Sequence, residues 1–79
     1  MKPDRATLHI LATFPEVYLQ SEDVLFVEVN NMAAEAVTVA EFRTLLNELE
    51  TQRLVVSQRV QGRVKWKITG AGRAWLKES

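Results

Sequence analysis

The segment from Leu54 to Leu76, LVVSQRVQGRVKWKITGAGRAWL, constrains this chain more than any other. Two β-rich runs, 54–60 and 64–68, flank Gln61-Gly62, where glycine can supply the positive φ of a tight turn, so a hairpin is expected. In the second run Arg63, Lys65 and Lys67 alternate with Val64, Trp66 and Ile68, which sets cations on one strand face and apolar groups on the other. The turn decides the register of the first run. A two-residue turn pairs Val60 with Arg63 and leaves Val56 and Val60 on the basic face. An odd loop returns both valines to the side of Trp66 and Ile68, and because burial sets register the odd loop is expected. Thr69 then caps a last short helix through Leu76, whose first turn is weakened by Gly70 and Gly72 and whose Trp75 and Leu76 can close the core.

Charge is divided between the two ends. Residues 53–79 hold seven Lys or Arg against one Glu, a net of +6, while residues 1–52 hold three against nine, a net of −6. The formal total of zero hides this polarity, which points the basic end toward a polyanion or an acidic partner. Seventy-nine residues make one domain, 1–79, with a modest core and no room for a large cleft, so an enzyme is not expected. At 47% apolar and 25% charged the chain should fold rather than stay disordered. It has no cysteine, and its lone His9 has no second His or Cys to help hold a metal. The three serines have no His and Asp constellation, and the glycines lack P-loop spacing, so no catalytic, cofactor-binding or metal-binding residue is assigned. No apolar run approaches the roughly 20 residues of a membrane helix, and Met1-Lys2-Pro3-Asp4 lacks an apolar signal core. A cytoplasmic protein with no membrane partner is expected.

Three helices are expected ahead of the hairpin. Pro3 and Asp4 suit a first helical turn, after which Leu8, Ile10, Leu11 and Phe14 gather on one side before Pro15 ends the helix. A short strand follows at 17–20. Ser21 with Glu22-Asp23 reads as a cap and acidic first turn of a second helix, from Glu22 to about Met32, although Val24 to Val29 also has strand propensity. Leu25, Val29, Met32 and Ala33 fall at helical spacing there. Thr38 and Glu41 form a Thr-x-x-Glu capping box for a third helix, Val39 to about Gln52, with Val39, Phe42, Leu45, Leu46 and Leu49 on one face.

The order helix, short strand, helix, helix, hairpin, helix resembles the winged helix-turn-helix fold, an α+β class dominated by helices. Leu45, Leu49 and Leu54-Val55, followed by a basic hairpin and Trp66-Lys67-Ile68-Thr69-Gly70-Ala71-Gly72-Arg73, resemble the pattern of MarR-like and PadR-like bacterial regulators. The resemblance spans roughly residues 4–76. It implies a regulatory or phage-related DNA-binding protein, with the third helix in the major groove and the hairpin's cations on the phosphate backbone.

If the third helix turns its apolar stripe inward, about 100° per residue puts Ala40, Thr44, Asn47 and Thr51 outward, with Arg43 on one flank and Glu41 and Glu48 on the other. Asn47 could read adenine, Arg43 guanine or a phosphate, and Ala40 or Thr44 a thymine methyl. The expected DNA-binding set is therefore Arg43, Thr44 and Asn47 in the groove with Arg59, Arg63, Lys65 and Lys67 on the backbone. Glu41, Glu48 and Glu50 oppose that approach, and capping accounts for Glu41 alone. The other readings of the hairpin are a contact for an acidic protein and a solvated strand face. A protein-interaction module, including a homo-oligomer joined head to tail by the opposite charges, is the rival function. Trp66 is expected in the core rather than stacked on a base.

Overall fold

The computed structural model describes residues 2–78 and has an α+β architecture of four helices and a three-stranded antiparallel sheet. Helix α1 (Pro3–Ala12) opens with proline at its first position, and Thr7 Oγ1 donates to the Pro3 carbonyl at 2.7 Å, which satisfies a buried hydroxyl. It stops at Ala12, two residues short of Phe14, because a residue before proline disfavours the helical region. Val17 to Leu19 form no strand. Tyr18 N–H bonds the Pro15 carbonyl at 2.9 Å and its ring stacks on Phe14 at 4.6 Å, so a proline turn takes these residues and leaves Val17 exposed. Strand β1 is only Gln20–Ser21, later than expected.

Helix α2 (Glu22–Met32) is capped by Ser21, whose Oγ accepts from Val24 N–H, and buries Leu25 and Val29. Its strand-prone Val24 and Val27 face outward, and Met32 is 37% exposed. Helix α3 (Val39–Thr51) has the complete capping box: Thr38 Oγ1 accepts from Glu41 N–H at 3.1 Å and Glu41 Oε1 accepts from Thr38 N–H at 2.8 Å. Phe42, Leu46 and Leu49 are buried and Leu45 half-buried, whereas Val39, expected inward, is 53% exposed because the first turn precedes the helix's contact with the core. Phe42 meets Phe26 of α2 at 5.6 Å between centroids. The helix ends with Arg53 left-handed at φ 64°, Leu54 N–H bonded to the Leu49 carbonyl and Arg53 N–H to that of Glu50, a Schellman closure without glycine.

Strands β2 (Val55–Val60) and β3 (Arg63–Ile68) form the hairpin, and β1 pairs on the far side of β3 through Gln20 opposite Trp66. The turn has two residues. Gln61 at φ 52° and Gly62 at φ 79° both take positive φ, as a type I′ turn requires, and Val60 pairs with Arg63. The odd-loop register is thus overturned. Turn geometry wins because Leu54 and Val55 already supply the buried anchor of β2, while Val56 and Val60 lie toward the hairpin's outer face at little cost. Glu50 Oε2 accepts from both the backbone N–H and the hydroxyl of Ser57, at 2.9 and 2.8 Å, and fastens β2 to α3.

Helix α4 (Gly70–Glu78) is capped by Thr69, whose Oγ1 accepts from Gly72 N–H and donates to the Arg53 carbonyl. Gly72 lies so close to the hairpin that a Cβ there would overlap the Leu54 carbonyl and stand 2.6 Å from Ile68 Cγ1. Arg73 donates to the carbonyls of Ala12 and Phe14 at 3.1 and 3.0 Å, which closes the end of α1. The core gathers Leu8, Leu11, Leu25, Phe42, Leu46, Leu49, Trp66 and Ile68, with Trp75 and Leu76 packed against it. Among the described residues no helix is long and apolar enough to cross a membrane.

Candidate nucleic-acid interface

The capping box and the inward Phe42, Leu46 and Leu49 fix the rotation of α3, so its outward line is Ala40, Arg43, Thr44, Asn47 and Thr51, all exposed. Two of these side chains turn back onto the helix: Thr44 Oγ1 donates to the Ala40 carbonyl and Thr51 Oγ1 to that of Asn47. The Asn47 carboxamide has no partner among the described residues and keeps both donor and acceptor available. Arg43 is 67% exposed and its Nε donates to Glu22 Oε2 at 3.3 Å.

The two-residue turn rearranges the hairpin's cations. Arg63, Lys65 and Lys67 share the face turned away from the helices, with Val56, Gln58 and Val60 beside them. Arg59 pairs with Val64 and lies on the opposite face, so the single basic face carries three of the four expected residues. Arg59 and Arg63 then flank the tip from its two sides, both exposed. None of the four forms an ion pair with a described carboxylate. Lys65 and Lys67 are half-buried, their stems lying along the sheet.

The tip and α3 meet across the start of α2. A cleft of about 230 Å³ is lined by Ser21, Glu22, Asp23, Arg43, Gly62, Arg63 and Val64, so Arg43 and Arg63 border one concavity together with two acidic residues. A second hollow of about 270 Å³ lies between α2 and α3, floored by Phe26 and Phe42 and rimmed by Val27 and Val39.

The acidic residues of α3 are mostly accounted for by structure. Glu41 completes the cap, and hydrogen bonds from the Thr38 backbone N–H and then the Thr38 hydroxyl hold its carboxyl below the ordinary value. Glu50 holds Ser57. Glu48 alone is left without such a task. Glu22, read from sequence as a match for the helix dipole, does more: Oε1 accepts from Trp66 Nε1 at 3.1 Å while Oε2 accepts from Arg43. Trp66 is 3% exposed and cannot stack on a base. No spacing rule reveals the Glu22 contact, since it joins residues 44 positions apart.

Comparison of the chain with protein-family models, with curated proteins and with solved structures found no match in any of the three.

Proposed function

We propose that this chain is a winged helix-turn-helix module that binds duplex DNA in a regulatory role, in line with its resemblance to MarR-like and PadR-like regulators. The observation that carries the reading is the cleft bordered by both Arg43 of α3 and Arg63 of the hairpin tip, beside an α3 face whose Asn47 amide has no partner among the described residues. In this reading α3 lies in the major groove, with Asn47 and Arg43 at base edges and the Thr44 methyl available to thymine. Arg63 and Arg59 reach phosphates from the two sides of the tip, and Lys65 and Lys67 extend the positive potential along β3. Glu41 and Glu50 keep their negative charge, but each serves the fold, Glu41 in the cap and Glu50 on Ser57, so their presence on α3 has a structural reason apart from any contact with DNA.

Replacing Arg63, Lys65 and Lys67 with Gln should weaken binding to all duplexes alike and reduce the slope of log K against log salt by about 0.9 for each phosphate no longer neutralised. Asn47→Ala should leave that slope unchanged and relax preference at one base pair. A second reading, an interaction module without DNA, is favoured by the outward Val27 and Val39 that rim the hollow between α2 and α3, with Val24 also exposed on α2. It takes precedence if the wild-type chain shows no salt-sensitive duplex binding at low ionic strength while light scattering shows association that the triple substitution abolishes.

A further inference from the structure

We infer that Glu22 is a positioning residue that presents Arg43 to guanine, and that the hairpin enforces the arrangement through Trp66. This rests on the DNA-binding reading above and names the base it implies. One carboxylate is held at both oxygens by different parts of the fold: Oε1 accepts from the indole N–H of Trp66, a residue locked in the core at 3% exposure, and Oε2 accepts from Arg43 Nε. Glu22 is itself only 19% exposed, so its position is set before any ligand arrives.

The choice of nitrogen matters. With Nε occupied, both terminal amino groups of the guanidinium remain without a described partner and offer a forked pair of donors. That fork matches O6 and N7 of guanine, the two acceptors that this base alone presents side by side in the major groove. An unsupported arginine has many rotamers and suits a phosphate as well as a base. A buttressed one loses less freedom on binding and is biased toward the planar, bidentate contact. Glu22 thus offsets a cost in overall attraction with a gain in discrimination.

The test uses the full chain and duplexes selected from a random library, then remade with 7-deazaguanine, which lacks N7, at each guanine in turn. Wild type should lose about 10-fold or more in affinity at one such position. Glu22→Gln should lose most of that discrimination while keeping the salt slope, since the amide oxygen can still accept from Trp66 and the fold is retained. Arg43→Ala should abolish it, and adding Glu22→Gln to Arg43→Ala should change nothing further. Should Glu22→Gln not fold, Glu22→Asp, which keeps the charge and shortens its reach, should show the same loss. If the Glu22 variant keeps full guanine discrimination, or binds every duplex more tightly by one factor, Glu22 is only a like charge opposing DNA; the positioning role is then wrong and the DNA reading survives. A wild-type chain with no salt-sensitive duplex binding overturns both.

Discussion

The same substitution, two residues apart, is expected to move stability in opposite directions. Gly70 opens α4, and a Cβ there meets nothing within 4 Å. Gly70→Ala therefore only narrows the freedom of the unfolded chain and should stabilise by about 0.4–1 kcal/mol. Gly72→Ala gains the same entropy but drives its methyl into the Leu54 carbonyl and against Ile68. That carbonyl already accepts from Thr69 N–H at 3.0 Å, so it cannot swing aside as the end of a flexible side chain could. The first turn of α4 must instead lift off the hairpin, and overpacking of this kind costs about 1–3 kcal/mol, which exceeds the entropic gain. Urea unfolding followed by Trp66 and Trp75 fluorescence should separate the two variants. Each kcal/mol corresponds to about 4–8 °C in Tm for a domain of this size. A Gly72→Ala protein at least as stable as wild type would show that α4 does not depend on close approach to the hairpin.

Phe42→Ala should cost about 3–5 kcal/mol in urea unfolding, because the ring is 1% exposed and packs on Phe26; a loss below about 1 kcal/mol would place the other face of α3 inward. Thr38→Ala should cost about 1 kcal/mol through loss of the cap oxygen. The Glu41 carboxyl is held below its ordinary value of 4.5 in the folded chain, so its contribution is complete above that value and is lost as pH falls through the lower folded one. Glu41→Gln should accordingly destabilise at neutral pH and approach neutrality in strong acid, as urea midpoints across pH would show.

Features written in neighbouring residues are the ones legible from sequence. The Thr38 and Glu41 box, the Ser21 cap and the Thr69 cap each need only a four-residue span, and all three stand where local chemistry places them. The hairpin register is not legible, because burial of Val56 and Val60 and the φ preferences at Gln61-Gly62 pull in opposite directions and the sequence does not say which is stronger. That one slip moves Arg59 off the basic face. Strand β1 comes later than expected because Pro15 claims the residues before it for a turn. Glu22, Glu50, Gly72 and Arg73 owe their roles to partners brought near by folding, so composition suggests for them only a dipole match, an unexplained charge, a turn residue and a share of the basic end.

The Glu50 clasp on Ser57 bears on whether a further strand can extend the sheet at this edge. In the order β1, β3, β2, the hairpin's first strand is the outer one, and Ser57 presents its N–H to the sheet's outer edge rather than to β3. Such a group is where another chain's strand would dock to lengthen the sheet. Glu50 occupies that donor from within and sets an acceptor where an incoming carbonyl would have to lie, so a residue whose charge counts against the proposed DNA role of α3 closes this position of the edge to another strand.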